Sequence, residues 1–275
     1  MIEFKDVSVR RDGRVLFSDA SFQLHPNHKI GLTGNNGTGK STLFALLLTQ
    51  MGVGDTEVTL DKGEVSIPES WQVAHMAQEV GASSQTAIDY VLSGDEQWYQ
   101  LNEALSDLSN VSDEQIGILH QQFDEIDGYR TPTKAAQIMA GLGFKASQHE
   151  QPVEGFSGGW RMRLNLAKTL MSRADLMLLD EPTNHLDLDA ILWLETWINQ
   201  FTGLVIVISH DQTFLDATVD HILHVEQQKI TLYTGNYQQF VRTRHERMAQ
   251  QQQAYEKQQA TRAHLDDFIR RFRAK

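Results

Sequence analysis

Nine residues, Gly34-Asn35-Asn36-Gly37-Thr38-Gly39-Lys40-Ser41-Thr42, restrict the fold of this chain more than any other stretch. They fit the pattern of glycine, four free positions, glycine, lysine and a hydroxyl residue. An apolar run, Lys29-Ile30-Gly31-Leu32-Thr33, precedes them and reads as a buried strand, and the stretch from Lys40 to Gln50 reads as a helix. A strand that enters such a loop and leaves as a helix wraps its backbone N–H groups around phosphate oxygens, and the helix N-terminus adds its dipole. In that arrangement Lys40 reaches the terminal phosphates and the Ser41 hydroxyl ligates Mg²⁺. At ordinary residue usage the fixed positions arise by accident in roughly one chain in a hundred of this size. The flanking strand and helix make accident rarer still, so an α/β fold with a phosphate site is the expectation.

Two further apolar strands end in polar tips. Leu176-Met177-Leu178-Leu179 runs into Asp180-Glu181, and Leu204-Val205-Ile206-Val207-Ile208 runs into Ser209-His210-Asp211. An open parallel sheet gathers its ligand groups at such strand ends. Asp180 is the candidate for the Mg²⁺ shell, Glu181 for polarising an attacking water, and His210 for a contact to the γ-phosphate. Taken alone, an acidic turn after a strand is about as often structural as functional, and a single histidine there is more often structural than catalytic. A phosphate loop in the same chain shifts that balance. Gln78, just beyond the run from Gln72 to Met76, is a candidate metal or water ligand.

Around this core the N-terminus reads as an antiparallel β meander, with runs at Phe4 to Val9 and Ala20 to Leu24 and a turn at 11–14. Between Ala87 and Leu142 the periodicity is helical. Trp98, Leu101, Leu105 and Leu108 share one face; Ile116, Leu119, Phe123 and Ile126 share another, with a polar break at Ser109-Asn110. Two antiparallel helices with facing seams follow, the second starting at Ser112-Asp113-Glu114-Gln115 as a capped end. Residues 238–275 lack glycine and proline and read as one long helix, polar nearly all round.

Cysteine is absent, which excludes disulfides and thiolate metal sites and fits a reducing compartment. The first six residues include the charges Glu3, Lys5 and Asp6 and carry no apolar signal core. The most apolar runs fall far short of the roughly 20 residues that span a bilayer. A net charge of −12 argues against a general nucleic-acid binder, but the charge is uneven. Residues 242–275 hold nine Arg and Lys against four Asp and Glu, leaving 15 against 32 on the rest: a basic tail on an acidic body.

Phe156-Ser157-Gly158-Gly159-Trp160-Arg161-Met162-Arg163 resembles the signature motif of ATP-binding cassette ATPases. The order of P-loop, Gln78, signature, Asp180-Glu181, Asn184-His185-Leu186-Asp187 and His210 is similar to that family across nearly the whole chain. Details resemble the ABC-F class, in particular its bacterial YheS-like subgroup. These are the Trp160-Arg161-Met162-Arg163 continuation, Glu181-Pro182-Thr183-Asn184-His185-Leu186-Asp187, the inserted helical hairpin, and Tyr233-Thr234-Gly235-Asn236-Tyr237 leading into the long helix.

The resemblance implies a P-loop NTPase cassette with a RecA-like parallel sheet core, an N-terminal antiparallel β subdomain and a helical subdomain. Residues 1–237 would be the cassette, 93–130 an inserted hairpin or arm, and 238–275 the start of a helical linker in a longer parent. It implies ATP and Mg²⁺ as ligands. Gly34 to Thr42, Gln78 and Arg11 would hold ATP, Ser41, Gln78 and Asp180 the metal, and Glu181 and His210 would be catalytic. Ser157, Gly158 and Gly159 would form a second anion site that closes over the ATP of a partner cassette, in the same parent chain or in a homodimer. The class implies a cytoplasmic protein acting in translation, its arm and basic linker touching the ribosome, tRNA or rRNA, without a membrane. Arg11 stands where an aromatic residue usually stacks on adenine, and its guanidinium plane could serve there. Competing readings are the ATPase subunit of a membrane transporter, which the hairpin and tail oppose, and a nucleotide-dependent binding module without turnover as an isolated fragment, which Glu181 opposes for the longer parent but not for this fragment alone.

Overall fold

The structure is a computed structural model. It describes all residues except 12, 55–57, 77–80, 82, 109, 110, 274 and 275, and the backbone alone of 260 and 263–273. Strands β1 (Ile2–Arg11) and β2 (Arg14–Leu24) pair antiparallel. The second strand starts earlier than its sequence pattern suggested, because Phe17 is fully buried opposite Val9 and draws residues 14–19 into the ladder. Strand β3 (Lys29–Gly34) leads through the glycine loop into helix α1 (Lys40–Gln50), and β4 (Lys62–Ser66) pairs with the free edge of β1.

The second sheet has six strands in the order β5-β6-β7-β3-β8-β9. Its members are β5 (Val73–His75), β6 (Leu176–Asp180), β7 (Leu204–Ile208), β8 (His221–Glu226) and β9 (Lys229–Thr234), with β3 inside. All pairs are parallel except the β8–β9 hairpin. Successive side chains of a strand face opposite sides, and here both sides are buried. Leu176, Leu178, Leu204, Ile206 and Ile208 join a core with α1 and the N-terminal sheet. Met177, Leu179, Val205 and Val207 join a second core with the helices. Burial on both faces explains why these strands are apolar throughout.

Helices α2 (Ala87–Leu92), α3 (Glu96–Ser106), α4 (Asp113–Glu125), α5 (Thr131–Gly141), α6 (Gly158–Met171), α7 (Leu188–Gln200) and α8 (Gln212–Thr218) cover the second core. α3 and α4 form the hairpin, with Trp98 and Phe123 buried and Leu101, Leu105 and Ile126 half-buried against the core. Ser112 caps α4 by a reciprocal box with Gln115, as its sequence indicates; the break at Ser109-Asn110 lies outside the described residues. The hairpin root is tied down. Asp95 caps α3 through the Trp98 N–H and is also held by Arg173, while Trp98 Nε1 donates to Gly128 O at 2.8 Å. A Cβ on Gly94 would lie 2.0 Å from Lys168 O, so this linker runs directly on the backbone of α6.

α9 (Tyr237–Arg273) starts docked and then leaves the body. Phe240 is buried beside His224, Arg244 pairs with Glu226, and Arg247 lies over the Tyr233 ring. Among the described residues no helix is long and apolar enough to cross a membrane.

Candidate functional site

Strands β3, β6 and β7 are adjacent and parallel, so their C-terminal ends present the glycine loop, Asp180-Glu181 and Ser209-His210 at one edge of the sheet. The loop is shaped by glycines that no other residue replaces easily. Gly34 has φ +150 and a Cβ there would lie 2.5 Å from Val225 O; Gly39, the N-cap of α1, has φ +104. Within the loop Thr38 Oγ1 donates to Asn35 O at 2.9 Å, and Lys40 Nζ donates to Gly34 O at 2.8 Å and Asn35 O at 3.1 Å. The lysine therefore curls over the loop it belongs to, with its amine above the cradle.

A cavity of about 470 Å³ joins these parts. Asn36, Gly37, Gly39, Lys40, Ser41 and Thr42 line one side, Asp180, Glu181, Ile208 and His210 another, and Arg11 and Leu16 from the antiparallel sheet the third. Arg11 is exposed at the end of β1. Leu16 also touches Gly39 from β2, and nothing in its own sequence neighbourhood marks it as a site residue. Gly34, Asn35 and Thr38 line the neighbouring face of the loop, where a second cavity of about 500 Å³ reaches the start of α9.

Glu181 is held with φ +50, a left-handed conformation unusual for a side-chain-bearing residue. Its N–H donates to Ile208 O at 2.8 Å, fixing it to the tip of β7. Its Oε2 accepts from the His210 N–H at 3.3 Å, and its Oε1 lies 3.6 Å from His210 Nε2. Oε1 is buried and makes no hydrogen bond. A buried carboxylate oxygen with open acceptor capacity suits a water or hydroxyl proton. Ser41 and Asp180 supply hard oxygen donors to the same cavity, the donor type that Mg²⁺ takes. The residues thus fit a metal-nucleotide, although Gln78 lies outside the described residues.

Burial pushes the Glu181 carboxyl above its ordinary range; the His210 N–H and ring pull it down, Asp180 pushes it up and Lys40 pulls it down, with a net rise. A base works only when ionised, and the ionised fraction falls as pH drops through the raised value. The acid limb of the pH–rate profile for nucleotide hydrolysis is therefore expected to bend above 4.5, the value for an unperturbed glutamate. A profile flat down to pH 4.5 would count against this carboxyl as the base.

The signature residues do not join this cavity. Ser157 and Gly158 are exposed at the N-terminus of α6, Ser157 standing at the N-cap with no capping bond from its side chain. A Cβ on Gly158 would meet nothing within 4 Å, and one on Gly159 would touch His185. Arg163, which the sequence marks only as part of the signature run, bridges this helix to the loop after Glu181.

Residues 17–184 match the family model described as ABC transporter, and residues 223–275 match a second model with the same description. The YheS protein of Escherichia coli (strain K12) is 49% identical over 276 residues, an alignment that covers 100% of this chain and 42% of that protein. Human ATP-binding cassette sub-family F member 3 is 35% identical over 283 residues, covering 99% of this chain and 38% of the relative. The chain thus spans about two fifths of the length of these relatives. A solved ATP-binding subunit of an ABC transporter superposes with a TM-score of 0.63 at 15% identity, over 85% of this chain and 90% of that one, which establishes the shared fold. A family model spanning most of the chain and a fold that delivers its motifs to one sheet edge lead to the same conclusion: the chain belongs to the ABC transporter family, as an ATP-binding cassette similar to the sub-family F proteins.

Proposed function

We propose that this chain is one cassette of an ABC-F ATPase that binds Mg-ATP and hydrolyses it when a second cassette closes over the nucleotide. The convergence of Lys40, Ser41, Asp180, Glu181 and His210 on one cavity carries this reading. Bound Mg²⁺ would neutralise charge on the β- and γ-phosphate oxygens. The N–H groups of residues 34–42 cradle the phosphates and Lys40 donates to the terminal ones. Ser41 and Asp180, with Gln78, would hold the metal, and Arg11 would serve the base. Glu181 orients the attacking water and takes its proton, while His210 contacts the γ-phosphate. Phosphoryl transfer needs positioning and charge more than covalent chemistry, so this set is sufficient as a core.

The placement of Ser157, Gly158 and Gly159 supports pairing. They start a helix, are not among the residues that line the cavity of their own cassette, and present backbone N–H groups suited to a nucleotide held by another. Residues 1–237 act as the cassette, 93–130 as the arm, and 238–275 as a linker. The basic balance of residues 242–275 on an acidic body, together with the likeness to ABC-F proteins, supports a cytoplasmic factor that acts on the ribosome in translation through this linker and the arm.

The pairing is tested by ATP turnover of this chain against its own concentration. The expected rate grows with the square of concentration at the dilute end; a rate proportional to concentration would show that one cassette suffices. The ribosome contact is tested by co-sedimentation of the full-length protein, with Glu181→Gln to slow turnover. Pelleting with ribosomes in ATP but not without nucleotide supports it, and equal distribution in both removes it.

A further inference from the structure

Arg163 sits one turn beyond Gly159 on α6, and its side chain is only 12% exposed. Its polar contacts all leave its own helix. Nε donates to His185 O at 2.8 Å, and Nη1 donates to Leu142 O at 3.2 Å and to Asp187 Oδ2 at 3.1 Å. The guanidinium lies 4.6 Å from the Trp160 ring centre. Gly143, at φ +90, passes close by; a Cβ there would stand 3.1 Å from Nη1.

His185 and Asp187 belong to the loop whose first residue is Glu181. That loop holds two non-glycine residues at positive φ, Glu181 at 50 and His185 at 68. Such conformations are unfavourable for a residue with a side chain and persist only where surrounding contacts over-determine them. At the Glu181 end the contacts are the bonds to Ile208 and His210. At the far end they are the Arg163 bonds and the Asp187 side chain, which also caps α7 through the Ala190 N–H at 3.1 Å.

We propose that Arg163 is a positioning residue for ATP hydrolysis: by pinning His185 and Asp187 to the signature helix, it holds Glu181 in place to take a proton from water. The helix that would grip the nucleotide of a partner is thereby linked to the base of its own cassette. The assignment rests on Glu181 being that base. A planar fork of donors is required, since two backbone carbonyls and a carboxylate are served at once; a lysine ammonium reaches fewer of them in a fixed plane.

The test uses the full-length protein with Arg163→Ala, Arg163→Lys, Asp187→Asn, Glu181→Gln and the Arg163→Ala/Glu181→Gln double variant. Fluorescent ATP-analogue binding, kcat, KM and melting temperature are measured on each. A displacement of about 1 Å costs about 100-fold in rate, so Arg163→Ala is expected to lower kcat by roughly 10- to 100-fold with nucleotide affinity within about twofold. Arg163→Lys recovers part of the loss. Asp187→Asn, which keeps the cap acceptor and removes the charge, loses less than Arg163→Ala. The double variant is no slower than Glu181→Gln alone, because both changes act through one carboxylate. A kcat near wild type for both Arg163 variants, a loss confined to affinity, or multiplicative losses in the double variant would overturn the proposal. Wild-type turnover by Glu181→Gln would instead overturn the base assignment beneath it.

Discussion

Glu181→Gln is expected to lower ATP turnover by about 10²- to 10⁴-fold, the range a general base contributes, while ATP binding persists. The geometry makes the substitution nearly isosteric. A Gln carbonyl oxygen can still accept from the His210 N–H that Oε2 now accepts from, and the backbone bond to Ile208 is independent of the side chain. What changes is Oε1, the buried oxygen with unused acceptor capacity. As an amide nitrogen that position can only donate, and it cannot take a proton from water. Lys40 and the loop glycines are untouched, so phosphate binding is preserved. Phosphate release and equilibrium binding, measured on the same preparation, decide the matter. Turnover within tenfold of wild type would move the base role to another group, His210 being the nearest candidate by position.

The second large effect is on stability. Arg173→Ala is expected to cost about 3 kcal/mol, the low end of the range for breaking a buried pair, because Arg173 is 34% exposed and water screens part of its charge. Asp95, at 2% exposure, loses its paired guanidinium and keeps the Trp98 N–H from its capping role and the attraction of Lys134. The loss also frees Ile126 O, which Arg173 Nη2 bonds at 2.7 Å. For a domain of this size that energy lowers the melting midpoint by roughly 6–12 °C. Asp95→Asn combined with Arg173→Met keeps the cap and removes both charges, and should restore most of the stability. A midpoint for Arg173→Ala within 2 °C of wild type would show that Asp95 finds other compensation.

The parts of this molecule legible in its sequence are those governed by neighbours along the chain. The glycine loop, the strands that end in Asp180 and His210, and the capped start of α4 each declare themselves within a dozen residues, because turn chemistry and strand alternation act over that span. The parts that stayed hidden depend on residues far apart. Arg173 meets Asp95 across 78 positions and Arg163 meets Asp187 across 24, and nothing local in either arginine separates it from a solvated cation. Leu16 enters the nucleotide cavity only because the N-terminal sheet folds over α1, a matter of packing between layers.

The hairpin root has a mechanical consequence. α6 begins at the exposed Ser157 and Gly158 and ends two residues before Arg173, and the hairpin is fastened to its last turns by the backbone contact at Gly94 and just beyond its end by the Asp95–Arg173 pair. α3 and α4 then project about 16–20 Å from that fastening at 1.5 Å per residue. They form a boom on a stiff mount: a tilt of about 10° in α6 sweeps the tip by about 3 Å. Any coupling that α6 carries between that tip and Ser157, Gly158 and Gly159 would be reciprocal, so a load on the tip would act on the start of the helix in return.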